Sequence, residues 1–598
     1  MTPNFIVLAG VLLGIGLLTR ALDSIPRGWV ALWSALALGL LVYGRLVTSR
    51  YLSRLERRGY VRDVVAIVGS GPGGANAAVP LVEKGLKVVL LDVGEEDTRY
   101  AKLIPPESFR SIRENDTQQH RYFLGDNFEG IPFGKVGPGA QLTPPRQYVM
   151  TSAASQMQTE LSTFQLSESL ALSGLGAAWG AGVFPFSDKE LAGWPISRAD
   201  LEPHYAAVAS RIGTTGGNDD LSELIGEFTT MPPVEIDNNA EAVLDRYTSR
   251  RDMFTSEGFF LGRTPLAICT EPLRGRGPHE YLDMEFWADA DRSVYRPRFT
   301  IEELRTRPNF SYEGTRFVRS FTESTGGVEV ATANTESGAR ETYRARALVL
   351  AGGATSSARI ILRSLGRYGQ PVPLLCNPYT YVPAVNLTMI GRAARDRRHS
   401  LAQLTGLYAP TGREHGMVVT QMYSYRSLMT FKLLKEAPIA YREALRMMQL
   451  LTSAFAIFGI HHEDTPCALR NCRLERGADG SDRLVVSYQL STEEESRHAR
   501  DEAHVIRFFR RLGCWPIKVI RPGHGSSIHY AGTFPMAADG GELTCNADCR
   551  LRATRAVYVA DGSPFPYLPA KGLTFTIMAN ANRVGSLLAE TLASGELK

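Results

Sequence analysis

Cysteine is sparse in this 598-residue chain: there are seven, an odd number with no dense spacing, which excludes a disulfide framework and points to a reducing compartment. The intervals Cys467 to Cys472 and Cys545 to Cys549 do not match zinc ligand pairs, so no metal is expected. A strong excess of one charge is also lacking. A formal net charge of +4 and no basic stripe interleaved with aromatics argue against nucleic acid as a partner. The length exceeds what one core can serve, and ordinary domain sizes imply three or four units, one of them discontinuous.

What is present is clearest at residues 64–94, VVAIVGSGPGGANAAVPLVEKGLKVVLLDVG. An apolar run enters a glycine turn at Gly69, Gly71 and Gly74, a helix follows, and a second apolar run, Val88 to Leu91, ends on Asp92. Gly69 permits the tight turn, Gly71 lets backbone approach a pyrophosphate, and Gly74 lets helix and strand pack closely. The helix N-terminus offers free N–H groups and a positive dipole end to phosphates. Asp92, about twenty residues on, is placed to accept hydrogen bonds from ribose hydroxyls. An adenine dinucleotide is the expected ligand.

The first sixty residues differ in kind. Phe5 to Leu18 carries no charge, and Trp29 to Gly44 forms a second apolar run after Arg20, Asp23 and Arg27. Each falls a little short of the roughly twenty residues needed to cross a bilayer, and each lengthens if a flanking arginine snorkels. A transmembrane helical hairpin is therefore expected, with a single span, an in-plane anchor or a signal peptide as the alternatives. Arg45, Arg50, Arg54, Arg57, Arg58 and Arg62 follow against the single acid Glu56, which places the catalytic body on the cytoplasmic side of the membrane.

After Asp92 comes a long irregular passage to Gln165, suited to an insertion over a cofactor. It leads to Gly174, Gly176, Gly180 and Gly182 around Trp179, where dense small residues let backbone lie flat against something planar. Trp194-Pro195 precedes an amphipathic helix starting at Ser197. Alternation marks strands at Tyr312 to Val318 and Val328 to Ala333, and Ala347 to Leu350 reads as a strand entering a small-residue turn and a helix. Farther on, Tyr381 to Met389, Gly416 to Tyr425 and Leu484 to Tyr488 are strand-like, while Ile439 to Phe458 and Thr492 to Leu512 read as helices. The first of these helices is read as core, with lipid or bilayer contact as the alternative. His461, His462, Glu463 and Asp464 read as a solvated loop, and His524 as a neighbour of the chemistry.

These segments together resemble the glucose-methanol-choline (GMC) family of flavoprotein oxidoreductases. The similarity rests on Gly174 to Gly182, on Trp194-Pro195 followed by Leu201-x-Pro203-x-Tyr205, on ARALVLAGGATSSARIIL (Ala345 to Leu362), on GSSIHYAGTFPM (Gly525 to Met536) and on ADGSPFPYLPAKGLTFTIMANANRVG after Val557. It covers most of the chain from Asp63 to about Leu592 and is weakest between Pro371 and Pro522. What it implies is FAD, held non-covalently because no histidine lies in Gly174 to Gly182. The implied contacts are Gly69, Gly71, Pro72, Gly73, Gly74, Asp92, Gly174, Gly176, Val318, Gly352, Asp561, Gly562 and Thr576. It further implies that His529 sits over the flavin ring as general base, a role suited to a neutral imidazole. The family's second active-site residue, Asn or His, falls on Gly572 here, so Lys571 is the candidate auxiliary.

The expected fold is α/β (α+β): a discontinuous Rossmann-like FAD-binding domain and a sheet-based substrate domain behind the hairpin. The boundaries are 1–50 for the anchor, 60–370 and 523–598 for the FAD and catalytic parts, and 371–522 for the substrate domain. The expected activity is oxidation of an alcohol on a lipophilic or lipid-linked substrate, with oxygen, a quinone or a carrier protein as electron acceptor and the lipid bilayer as a further partner. A desaturase, isomerase or decarboxylase of lipids, and a flavin-binding assembly protein without catalysis, are the alternatives.

Overall fold

In a computed structural model of the chain, the described residues are 39, 43–47, 50 and 64–597, apart from 108, 132–141, 155, 162, 227, 282–291, 394–398, 411–415, 425–437 and 478–480. The chain divides into two compact units, 1–62 and 63–598. Of the first unit, residues 43–47 are helical. The expected membrane hairpin lies almost wholly outside the described residues, and among those described no helix is long and apolar enough to cross a membrane.

The second unit is built on a five-stranded parallel sheet in the order Val557–Val559, Ala347–Leu350, Val64–Val68, Lys87–Leu91, Phe310–Glu313. The residues of VVAIV and ALVL are buried throughout, as strands covered on both faces must be. Helix Pro72–Glu83 links the first two strands and starts with proline, whose missing N–H costs nothing in a first turn. The long final helix, Thr574–Ser594, lies so close to it that a Cβ on Gly585 would fall 2.3 Å from the Ala77 carbonyl oxygen. The chain thus returns to this sheet three times, at 310, 347 and 557, and closes it with its last helix.

A six-stranded antiparallel sheet stands opposite, in the order Cys514–Pro516, Tyr379–Asn386, Phe455–His461, Val418–Ser424, Ala402–Tyr408, Phe259–Arg263. Its edge strand at Phe259 comes from well before residue 371, so the substrate-side sheet does not respect a single cut there. Helix Thr492–Arg511 covers the outer face, with Phe508 and Phe509 packed on Phe259 and Phe458. The inner face looks toward the parallel sheet.

Two local expectations change. The helix expected over Ile439 to Phe458 is two elements, helix Tyr441–Leu451 and strand Phe455–His461. The residues of FAIFGIH find ladder partners on both sides, and that pairing overrides helical propensity. Nor is the helix core: only Ala444 and Met448 are buried, while Tyr441, Leu445, Met447 and Leu450 are exposed by 42–62%. The single strand expected over Tyr312 to Val318 breaks at Gly314-Thr315, where Thr315 takes a left-handed φ of 57°. Phe310–Glu313 joins the parallel sheet, and Arg316–Ser324 begins a separate three-stranded antiparallel ribbon.

Candidate active site

A cavity of about 610 Å³ runs from the glycine turn to the inner face of the antiparallel sheet. At its nucleotide end the glycines divide by role. A Cβ on Gly74 would lie 1.8 Å from the Gly69 carbonyl oxygen, and one on Gly73 would lie 2.2 Å from that of Ala560, so these two serve packing. Gly69 has a φ of +95° and would press on the Ala351 carbonyl. Gly69, Gly71 and Gly73 all line the cavity, but Gly71 is the open one of the three: its nearest neighbour would be 3.7 Å away. That leaves backbone and the N-terminus of helix Pro72–Glu83 open to a phosphate group. Pro72, Gly174, Gly176, Val318, Gly352 and Gly562 line the same space.

Asp92 lies at the end of its strand and also lines the cavity. The hydroxyls of Ser70 and Tyr312 both donate to its Oδ2, and Ser70 Oγ accepts from the Ser173 N–H at 2.9 Å. One serine therefore ties the glycine turn to the second strand and to the Gly174 segment. Burial raises the Asp92 carboxyl to about 6, against the lowering effect of those hydrogen bonds. Asp561 accepts from the Gly353 N–H (2.9 Å), the Ser357 hydroxyl (2.5 Å) and the Ser563 N–H (2.9 Å). It locks the return turn to the last strand while facing the cavity. Taken together, the open glycine, the helix end and the acid fit an adenine dinucleotide.

Besides Gly74, which packs on Gly69, two expected site residues are placed elsewhere. Lys571 is fully buried, its Nζ 2.7 Å from Glu190 Oε2 and 3.3 Å from the Pro185 carbonyl. It is spent in an internal ion pair and is not part of the cavity wall. Thr576 shares a 2.7 Å hydrogen bond with the Tyr205 hydroxyl and faces the core, while Leu573, Thr574 and Ile577 face the cavity.

At the other end His529 lines the cavity. Its Nδ1 is 2.9 Å from Asn377 Oδ1, and Asn377 Nδ2 donates to the carbonyls of His462 (2.7 Å) and Pro569 (2.9 Å). Because those carbonyls can only accept, the Asn377 amide has one orientation, and its oxygen must receive a proton from Nδ1. His529 therefore carries its hydrogen on Nδ1 and its lone pair on Nε2. Burial lowers its pKa to about 4, so the ring is neutral near pH 7.

The sheet supplies residues that the sequence reading missed. Tyr379 and Tyr381, Gln421 and Tyr423, and Ile457 and His461 all line the cavity. They sit on alternate positions of three paired strands, with Gly459 between them in register with Tyr381 and Gln421. Far from lying in a solvated loop, His461, His462, Glu463 and Asp464 are buried by at least 92%. Asp464 is held by Arg470, the Cys376 N–H and the Tyr488 hydroxyl. His524 packs on Tyr488 with ring centroids 5.0 Å apart, outside the cavity wall.

Residues 477–581 match the family model described as GMC oxidoreductase. The chain is 25% identical over 550 residues to 6'''-hydroxyparomomycin C oxidase of Streptomyces lividus, and 25% identical over 563 residues to paromamine 6'-oxidase of Streptomyces fradiae. Each alignment covers 89% of this chain and 92% of the relative. Among solved structures, pyridoxine 4-oxidase of Mesorbium loti superposes with a TM-score of 0.55 at 15% identity, over 89% of this chain and 99% of that one. Formate oxidase of Aspergillus oryzae, studied for modification of its FAD, superposes with 0.54 at 11% over 90% and 99%. The GMC oxidoreductase family is supported. Both curated relatives are oxidases, which matches an FAD-dependent oxidoreductase acting on CH–OH groups. FAD is the cofactor named for the formate oxidase, and the nucleotide end of the cavity in this chain fits it.

Proposed function

We propose that this protein is a membrane-anchored, FAD-dependent oxidoreductase that oxidises an alcohol group of a lipophilic or lipid-linked substrate, with His529 as general base. The observation behind it is the Asn377–His529 hydrogen bond, which leaves Nε2 of a neutral imidazole free in a cavity shared with the nucleotide loop. Gly71, the start of helix Pro72–Glu83 and Asp92 would hold the pyrophosphate and ribose of FAD; Leu573 and Thr574 stand at the start of the last helix, whose positive end favours negative charge. Bound FAD supplies a two-electron acceptor for hydride. The protein's own task is to take the hydroxyl proton on Nε2, hold the alcohol carbon in place and exclude water.

The lipophilic substrate is supported by the uncharged wall of Tyr379, Tyr381, Tyr423, Ile457 and Phe184. The acids that line the cavity among the described residues, Asp92, Glu168 and Asp561, stand at the nucleotide side with partners of their own. The polycationic substrates named for the two relatives would call for acids at the sheet instead. Membrane attachment is supported by the two apolar runs before Arg45 and by the exposed apolar face of helix Tyr441–Leu451. In this reading the catalytic body faces the cytoplasm, and oxygen, a quinone or a carrier protein takes the electrons.

The test is anaerobic bleaching of the yellow holoprotein by a panel of long-chain alcohols, aromatic alcohols and paromamine, with products identified by mass spectrometry. Aldehyde or ketone from an apolar alcohol is the expected result. Faster bleaching by paromamine would overturn the substrate class, and a product with its alcohol intact would overturn the reaction.

A further inference from the structure

Gly572 lines the cavity without a side chain, and a Cβ built there would meet Phe184 Cδ2 at 3.4 Å. That is an ordinary contact, so position 572 abuts the Phe184 ring and presents no polar group beside it. With Lys571 committed to Glu190 and Gly572 lacking a side chain, neither of these two positions gives a substrate oxygen a polar partner.

The antiparallel sheet does. His461 is the last residue of the strand Phe455–His461, paired with Tyr379 on one side and with Val419 on the other, so its backbone is fixed by ladders on both flanks. Its ring lies nearly parallel to that of His529, with centroids 5.3 Å apart and planes at 19°, and it packs on Tyr379 at 4.5 Å. Both histidines face the same cavity. Yet His461 Nδ1 is buried with no hydrogen-bond partner, a state that costs free energy unless a ligand or function compensates it. Burial first, then the neighbouring His529 and His462, push its pKa well below the ordinary histidine value. The pair thus divides the work: one ring is anchored through Nδ1–H and presents a lone pair, while the other is neutral and has an N–H to donate.

We propose that His461 is a second catalytic residue that hydrogen-bonds the substrate oxygen while His529 removes its proton. This rests on the alcohol-oxidising reading above. In the step, the alcohol O–H bond breaks, the proton bonds to Nε2 of His529, and the electron pair stays on oxygen, where the N–H of His461 stabilises the developing charge. The role moves from the loop after the last strand of the parallel sheet to the end of a substrate-side strand, with Gly459 two residues earlier admitting the Tyr379 ring over the sheet. A Cβ on Gly459 would fall 2.9 Å from the Tyr379 hydroxyl, so a larger residue there would push on the ring that packs against His461.

The experiment compares His461→Phe, which keeps a flat ring without an N–H, with His461→Gln, which keeps a donor, and His529→Ala, all as FAD-loaded protein. Flavin reduction by the best alcohol of the panel is followed anaerobically, together with FAD content and melting temperature. In parallel, ring ¹⁵N signals of histidine in the wild-type holoprotein are recorded while 2,2,2-trifluoroethanol is added as a poorly oxidised alcohol. The expected result is a fall of about 10²- to 10³-fold in the rate for His461→Phe, the size seen when one oxyanion donor is removed. His461→Gln should recover most of it at unchanged FAD content, and trifluoroethanol should move the signals of both histidines. A full rate in His461→Phe, or a probe that moves His529 alone, overturns the proposal and leaves the role of His529 standing. A full rate in His529→Ala, or a probe that moves neither ring, overturns both.

Discussion

The side-chain oxygen of Asn377 lies 2.9 Å from Nδ1 of His529, and it can only accept there, because its amide nitrogen is committed to two carbonyls. That one contact selects the tautomer with a free Nε2. Asn377→Ala should release the ring and lower kcat by about 10²-fold, a typical share for a positioned base, with KM changed much less. Asn377→Asp should be milder in rate but should place a carboxylate against Nδ1–H. That favours the imidazolium and moves the acid limb of activity upward by about one to three pH units. Rate profiles of the two variants check this, and identical limbs in wild type and Asn377→Asp would contradict the tautomer.

The same ring sets the pH response. His529 works only when unprotonated, and burial holds its pKa near 4 in the folded protein. Nε2 is therefore free at pH 7 and is lost only as pH falls through about 4, not near 6.5. Measured as kcat/KM between pH 8 and pH 4, activity should stay level down to about pH 5 where His529 is the limiting group. A limb at the ordinary histidine value in the wild type would show that the cavity is wetter than its walls imply.

Lys571 and Glu190 form a pair with side chains 0% and 7% exposed. Removing one partner leaves the other charge buried and uncompensated, which costs about 3–5 kcal/mol. Lys571→Met should therefore lower the urea midpoint sharply, and the double variant Lys571→Met with Glu190→Met should recover much of the loss. Flavin reduction per folded, FAD-loaded molecule should stay near the wild-type rate in both. A selective loss of rate at full stability would return Lys571 to the chemistry.

How much of this was legible beforehand follows from the range of the interactions. The glycine turn, Asp92, the strand Ala347–Leu350 and His529 are read from local patterns, since short stretches of backbone fix their roles. His461 and Asn377 depend on pairing between strands about eighty residues apart in sequence, which no local window shows. Their signal was faint: polar or aromatic side chains on alternate positions of otherwise apolar strands, as in YTYVPAVN, VVTQMYS and FAIFGIH. Tyr441–Leu451 and the strand after it shared one apolar composition, and only ladder partners separate them. Lys571 could not be oriented from sequence because Glu190 reaches it from 381 residues away.

Asp92 makes FAD binding depend on pH. Without ligand its carboxyl sits at about 6, because burial outweighs the hydroxyls of Ser70 and Tyr312. Ribose hydroxyls hydrogen-bond the ionised form, so FAD favours the carboxylate and lowers that pKa on binding. Below pH 6 the apoprotein holds a proton that binding must expel. Affinity should therefore be full at pH 7–8 and weaken as pH falls through 6, by at most about tenfold per pH unit. Asp92→Asn should bind FAD more weakly at pH 7 and lose this slope between pH 7 and pH 5, leaving only what Asp561, also raised by burial, contributes. Titrating apoprotein with FAD and following the quenching of flavin fluorescence measures both. An Asp92→Asn slope equal to the wild-type slope would remove Asp92 from the ribose.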